Sequence, residues 1–385
     1  MKKIVLFLLI GYLFIPFGVK AEELSLAPNA KSAIMLEVST GEILFEKNSH
    51  ERLHPASMTK MMSLLLIMES IEKGIIKLDE MVTVSANASG MGGSQILLET
   101  NEQMSVDDLI KGITIASGND AVVALAERIA GTEEQFVNMM NQKAKELNLN
   151  DTNFKNSHGL DAANHYSSAY DMSIIAKELV KHEKILEYSS IYEMYLRENT
   201  NRKIWLVNTN KLVRFYDGVD GLKTGYTKEA GYCLTATAKR NDMRLIAVVM
   251  GENDSQTRNS ELTSMLDYAF SQYEVEKLLS KDSVVGETIL EKGIKKYVEL
   301  VPVNDVTVLN KKIDGKKNAT YEVEVNKISA PIKKGDIVGK LHIKENENIT
   351  RTIDLTVKED IKKANIFDLY LRYLKEILTG DIKVI

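Results

Sequence analysis

The spacing of apolar positions changes several times along the chain, and each change marks an element. Residues 33–36 and 42–45 are short β-like runs about Ser39-Thr40-Gly41, a turn signal, and predict a hairpin. The run Met61-Met62-Ser63-Leu64-Leu65-Leu66-Ile67-Met68 is apolar almost all round. That pattern predicts a buried helix from near Ser57 to about Lys73, ended by Gly74 as a C′ glycine. From residue 80 to 200 the period is mostly helical. Ser105 caps one helix, and Asp107 and Asp108 suit the dipole at its start. Thr132-Glu133-Glu134-Gln135 is a capping box for the next, whose Phe136, Met139, Met140 and Ala144 recur at core spacing. A loop over residues 156–161 precedes a helix starting near Ala169. Alternation returns over 232–238 and 245–251, a second hairpin, and residues 260–273 read as a closing helix.

After about residue 275 the pattern is strands with short polar turns: 297–301, 321–325, 335–343 and 352–357. This predicts a small all-β sandwich domain. Residues 361–378 are amphipathic. Ile366, Tyr370, Tyr373, Leu374 and Ile377 share one face, widened by Phe367, Leu371 and Leu378. Asp368, Arg372, Lys375 and Glu376 lie opposite. Such a helix lies in a membrane interface or docks on the protein's own β domain, and its charges exclude a transmembrane span. The fold class is therefore α+β. An antiparallel sheet flanked by helices, with a helical lobe beside it, spans residues 22–274. The all-β domain spans 275–360 and the amphipathic helix 361–385.

Composition adds an address and excludes some partners. Lys2-Lys3, an apolar stretch too short to span a bilayer, and Val19-Lys20-Ala21 read as a secretory leader over residues 1–21. The formal net charge is −5, so nothing suggests the basic surface a nucleic-acid partner would need. Cys233 is the one cysteine, which rules out an internal disulfide. Its strand-like setting suggests a buried structural thiol. No His/Cys spacing suggests a metal site.

Candidate chemistry sits in short strings. In Pro55-Ala56-Ser57-Met58-Thr59-Lys60, a helix places Lys60 one turn above Ser57, where a neutral amine could activate the hydroxyl. A capping serine and an ordinary lysine would look the same. Ser117-Gly118-Asn119 offers a hydroxyl that can relay a proton and an amide that can donate to a carbonyl and accept from an ammonium. A plain turn would also look like this. Lys223-Thr224-Gly225 precedes the second hairpin. Lys223 and Thr224 could bind a carboxylate, and Gly225 would let a substrate backbone approach. A surface loop with a lysine is the bland alternative.

Together and in this order, the three strings resemble those of the low-molecular-mass penicillin-binding proteins that act as serine D-Ala-D-Ala carboxypeptidases. Asn156-Ser157-His158-Gly159-Leu160-Asp161 and the residues from His165 to Met172 look like that family too, and the likeness extends to the β domain and tail. The resemblance implies removal of the terminal D-Ala from peptidoglycan stem pentapeptides through an acyl-enzyme at Ser57, with β-lactam antibiotics as inhibitors and no cofactor or metal. Lys60 would take the serine proton and later activate water. Ser117 would relay the proton to the leaving amine. Asn119 would hold the substrate backbone and orient Lys60. Lys223, Thr224 and Thr227 would bind the terminal carboxylate. The N–H groups of Ser57 and Tyr226 would form the oxyanion hole. Lys223 is expected to be the main cause of a low Lys60 pKa, with partial burial second. The family also implies a role in peptidoglycan biosynthesis and cell shape, at the outer face of the cytoplasmic membrane.

Two other readings share parts of the pattern. A class A-like β-lactamase would need a glutamate to activate the deacylating water, and Glu146-Leu147-Asn148-Leu149-Asn150 imitates its setting. It lacks the usual proline, and Glu146 is expected to be exposed at a helix end. A non-catalytic cell-wall-binding protein could keep the fold without turnover. His158 and His165 could be offered as bases, but loop histidines are more often structural.

Overall fold

The computed structural model describes residues 24–345 and 347–379. The leader expected over residues 1–21 lies outside them, as do residues 380–385. β1 (Ser32–Glu37) and β2 (Ile43–Lys47) form the expected first hairpin. The chain then makes a 3-10 turn, Ala56–Thr59, and enters α1 (Lys60–Glu72). The lobe uses α2 (Val106–Ala116), α3 (Asn119–Ala130), α4 (Glu133–Glu146) and α5 (Ala169–Leu179). β3 (Val219–Thr227), β4 (Gly231–Arg240) and β5 (Met243–Glu252) return to the sheet, and α6 (Ser255–Gln272) closes the region.

These five strands run antiparallel in the order β2-β1-β5-β4-β3, so both predicted hairpins join one sheet and β3 is an edge. Strand alternation sorts the two faces. Ile34, Cys233 and Val248 pack with α1 and the lobe, while Met35, Leu234 and Ala247 pack on α6. α1 is buried from Lys60 to Met68, as its all-round apolar pattern requires. It ends in a Schellman motif: Gly74 is left-handed at φ +70°, its N–H reaches Ile71 O, and Ile75 N–H reaches Ser70 O.

The caps expected at Ser105 and Thr132 are present, accepting from the N–H of Asp108 and Gln135. α6 begins at Ser255 rather than near 260, because Asp254 Oδ1 accepts from the N–H groups of Gln256 and Thr257. Two small hairpins interrupt the lobe's helices: Met81–Thr83 with Gln103–Ser105, and Glu193–Leu196 with Ile204–Val207.

The β domain starts directly after α6 with β6 (Tyr273–Leu279). It continues through β7 (Gly286–Glu291), β8 (Tyr297–Pro302), β9 (Val306–Lys311), β10 (Ala319–Val325), β11 (Ile328–Ser329), β12 (Gly339–Glu345) and β13 (Asn348–Val357). Six strands form one sheet in the order β10-β12-β13-β8-β7-β11, and β6 pairs with β9 as a ribbon. The strand expected from 335 starts only at Gly339, because Asp336 N–H turns back to Lys333 O. β9 stitches the two domains together. Val308 joins the β-domain core, while Leu309 joins the cluster under α6. Thr307 Oγ1 donates to Ser39 Oγ at 2.9 Å, and Arg351 donates to Ser39 O at 3.0 Å.

The tail helix, α7 (Ile366–Thr379), begins later than the expected 361. Ile361 exchanges backbone hydrogen bonds with Ile332, and Asn365 Oδ1 then caps the helix at Asp368 N–H. Its apolar residues, Ile366, Phe367, Tyr370, Leu371, Tyr373, Leu374, Ile377 and Leu378, are all exposed, so this face is not docked on the β domain. Among the described residues no helix is long and apolar enough to cross a membrane.

Candidate active site

The site is built on the turn before α1. Ala56 takes a left-handed backbone, φ +46°, and Met58 N–H closes on Pro55 O. A 3-10 turn eclipses residues three apart, so Ser57 stands over Lys60 more directly than in an α-helix. Lys60 Nζ lies 3.0 Å from Ser57 Oγ. Ser57 is partly exposed at the mouth, whereas Lys60 is completely buried.

Lys60 Nζ has two further neighbours, Asn119 Oδ1 at 2.6 Å and the His158 carbonyl at 2.6 Å. Both oxygens can only accept. A neutral amine therefore spends both N–H groups on them and turns its lone pair to Ser57 Oγ–H. Its pKa is held well below the usual lysine value, first by burial and then by the charge on Lys223, with Asp120 opposing. This corrects the sequence expectation that Lys223 dominates and burial comes second: the enclosure of Lys60 is complete rather than partial.

Ser117 is the left-handed end of α2, φ +64°, a conformation usually left to Gly or Asn. Its hydroxyl is buried and has no hydrogen-bond partner among the described residues. Asn119 opens α3. Its Nδ2 donates to Gly92 O at 2.6 Å, so one of its two N–H bonds is already committed. Asp120 was not singled out from the sequence. Its buried carboxylate accepts from the N–H groups of Ile96 and Leu98, and this fixes the loop that carries Gly92.

β3 runs along the other side of the turn. Lys223 is buried and donates to Thr224 O. Burial first, then the nearby Arg258 guanidinium, pulls its pKa down to about 7. Thr224 Oγ1 donates to Thr209 Oγ1 at 2.8 Å. Tyr226 is exposed and its ring sits 4.3 Å from that of Tyr232. Thr227 Oγ1 donates to Asp161 Oδ1 at 2.9 Å.

Gly225 requires a correction. A Cβ there would lie 2.8 Å from Pro55 O and 3.2 Å from the Ala56 methyl. The missing side chain makes room for the chain's own turn that carries Ser57, a need within the fold that the sequence reading did not give.

The loop from Asn156 to Asp161 packs on the same turn. Gly159 is left-handed, φ +91°, and a Cβ there would fall 1.9 Å from Ala56 O, a backbone atom that cannot swing away. Gly159→Ala is expected to cost about 3 kcal/mol of stability and to lower D-Ala release at least tenfold. A thermal melt and a rate together check this, and a wild-type melting temperature would contradict it.

Both histidines of this region are structural. His165 Nδ1 accepts from Lys155 N–H, which leaves its Nε2–H for Thr59 Oγ1 at 2.8 Å. His158 Nδ1 accepts from Leu160 N–H. Burial is the first cause that pulls each pKa down to about 4. Lys60 adds to it at His158, and His158 and His54 add to it at His165. Between pH 6.5 and about 4 the unfolded chain binds protons that the folded chain refuses. Stability is therefore full above pH 6.5 and is lost as pH falls to about 4, by roughly 2–3 kcal/mol per histidine. Urea midpoints at pH 7.5 and 4.5 should show the drop, and His165→Asn should flatten part of it. Equal midpoints for wild type would overturn the assignment.

A partly exposed serine against a buried lysine, between an antiparallel sheet and a helical lobe, is the arrangement of the transpeptidase-like serine hydrolases. The chain belongs to the D-alanyl-D-alanine carboxypeptidase family, whose model matches residues 19–254, and a second model, the C-terminal domain of penicillin-binding protein 5, matches residues 273–363. The D-alanyl-D-alanine carboxypeptidase DacF of Bacillus subtilis is 49% identical over 99% of both chains. DacC of Escherichia coli is 34% identical over 92% of this chain and 90% of its own. The crystal structure of penicillin-binding protein 5 from Haemophilus influenzae matches with a TM-score of 0.70 at 33% identity, covering 87% of this chain and 98% of that one. Penicillin-binding protein D2 of Listeria monocytogenes, solved with ampicillin bound, matches with a TM-score of 0.57 at 29% identity over 63% of this chain and 98% of its own. The activity is thus that of a serine-type D-Ala-D-Ala carboxypeptidase of low molecular mass. The β-lactamase reading falls away, and Glu146 is, as expected, an exposed helix-end acid beside Lys143.

Proposed function

We propose that Ser57 attacks the carbonyl of the penultimate D-Ala of a peptidoglycan stem pentapeptide while Lys60, as a neutral amine, takes its proton. The observation that carries this is the triangle about Lys60 Nζ: Asn119 Oδ1 and His158 O lie 2.6 Å away and can only accept, which leaves a neutral amine its lone pair for Ser57 Oγ–H at 3.0 Å. The new C–O bond forms as the carbonyl becomes an oxyanion. The N–H groups of Ser57 and Tyr226 face that oxyanion, each worth about 3–4 kcal/mol. The C–N bond to the terminal D-Ala then breaks. The Ser117 hydroxyl, which has no hydrogen-bond partner among the described residues, passes the proton to the departing amine.

Lys223, with Thr224 and Thr227, holds the terminal carboxylate. Asn119 keeps Lys60 oriented and offers its second N–H to the substrate backbone. Water activated by Lys60 releases the shortened peptide. β-Lactams acylate Ser57 by the same route, a reading supported by the ampicillin- and cefotaxime-bound relatives.

The division of labour along the chain is part of this proposal. Residues 1–21 direct export and are removed, 22–274 catalyse, 275–360 form the β domain, and 361–385 hold the enzyme at the outer face of the cytoplasmic membrane. There it trims the wall that sets cell shape. Exposure of the whole apolar face of α7 supports the last point. Deleting residues 366–385, which leaves Ile361 and Ala364 seated in the β domain, should release the protein from anionic phospholipid vesicles. Unchanged partitioning would defeat the anchor.

For the reaction, residues 22–385 are incubated with a pentapeptide ending in D-Ala-D-Ala and, separately, with penicillin. Steady D-Ala release and a long-lived penicilloyl adduct on Ser57 are expected. Rapid penicillin turnover without an adduct would overturn the reading.

A further inference from the structure

The hairpin Glu193–Leu196 with Ile204–Val207 has one face that the reaction does not use. Leu196 and Leu206 turn inward to the core. Tyr195 and Trp205, directly opposite each other across the ladder, turn outward with 46% and 56% of their surface exposed. Cross-strand partners share a face, so the two rings form one platform. Lys203 Nζ lies 3.9 Å from the centre of the Tyr195 ring. Glu193 lies on the same face two residues from Tyr195, and Arg214 Nη1 approaches it at 3.9 Å. Phe215, 70% exposed, extends the aromatic surface beside Arg214, whose guanidinium sits over both Phe215 and Tyr192.

A short connection joins this hairpin to the substrate site. The strand bearing Trp205 ends at Val207, and the chain runs on to Thr209, whose hydroxyl accepts from Thr224 and whose N–H donates to Ile115 O, two residues before Ser117. Thr209 is four positions beyond Trp205, a span of at most about 14 Å. In a stem pentapeptide, four residues also separate the sugar from the bond that is cut, with the same upper limit of about 14 Å. The platform therefore lies within the reach of a stem seated in the site.

The chemistry fits that occupant. The C–H face of a pyranose is apolar and weakly positive, and it meets the negative face of an aromatic ring. Glu193, Lys203 and Arg214 border the rings with acceptors and donors for hydroxyl and N-acetyl groups.

We propose that Tyr195 and Trp205 form a glycan subsite that binds the N-acetylated amino sugar carrying the stem peptide. This rests on the stem-peptide reading above. Trp205 is the only tryptophan in the chain, so its fluorescence reports on the platform alone. Two measurements on residues 22–385 test the proposal. Titration with tri-N-acetylchitotriose should shift or quench the Trp205 emission, and Tyr195→Ala should weaken that response at least fivefold. Next, kcat/KM is compared for a disaccharide-linked pentapeptide and the bare pentapeptide. Wild type should prefer the glycan-bearing substrate, and in Trp205→Ala the ratio should fall about tenfold toward one, carried by KM rather than kcat. Trp205→Phe should keep most of the preference.

Silent emission, or a ratio unmoved by Trp205→Ala, would overturn the subsite. Failure of the stem-peptide reading looks different: neither substrate would release D-Ala, whatever the fluorescence does.

Discussion

Replacing Ser57 with alanine is expected to lower D-Ala release by four orders of magnitude or more, because removing the nucleophile removes the acyl-enzyme route altogether. The residual rate would come from whatever the oxyanion donors and carboxylate clamp achieve with bulk water. The same variant should show no mass increase after penicillin treatment. Its stability should stay within about 0.5 kcal/mol of wild type, since the Ser57 side chain is partly exposed and Lys60 is its hydrogen-bond partner. Intact-mass spectrometry and a D-Ala assay on the folded variant decide the matter. Undiminished release, or an adduct elsewhere on the chain, would remove Ser57 from the mechanism.

Lys60→Met should lower kcat/KM by two to four orders of magnitude, the usual range for a positioned base. The stability consequence is mixed. Asn119 Oδ1 and His158 O each lose a donor, a cost of about 1–3 kcal/mol apiece, but methionine removes an ionisable group from a completely buried place. The sharper readout is the pH profile. In wild type the acid limb of kcat/KM should report the lysine losing its proton. On the alkaline side the profile should fall as Lys223, with its pKa near 7, loses the charge that holds the carboxylate. In Lys60→Met the acid limb should vanish while the alkaline limb stays. A profile identical in shape to wild type would mean that another group is the base.

What the sequence revealed of this site follows from the range of the interactions. Ser57 and Lys60 are three residues apart, and their approach is a local property of a helical turn. Caps at Ser105 and Thr132 and the end at Gly74 are equally local, and they read correctly. The contacts that complete the site are not local. The His158 carbonyl comes from about a hundred residues downstream of Lys60, and a backbone oxygen leaves no signature in a side-chain pattern. Asp120 and Arg258 act through burial and charge at distant residues, which no spacing rule detects. Gly225 shows how a residue singled out for one reason meets a different need in the fold. Its need for no side chain was legible, but what fills the space is Pro55 and Ala56, brought there only when β3 docks on the turn. The start of α7 was misplaced for a related cause. The apolar period runs on through Ile361 and Ala364, yet pairing to the β domain takes those residues out of the helix.

Ser117 holds the end of α2 in a backbone shape that glycine or asparagine would occupy more comfortably, with a hydroxyl that no group among the described residues satisfies. With the proposed proton relay at Ser117, evolution toward heat tolerance and evolution toward turnover pull in opposite directions at this one residue. A library selected only for survival at high temperature should drift toward Ser117→Gly or Ser117→Asn, and an enzyme hardened that way would be a better-folded protein and a poorer peptidase.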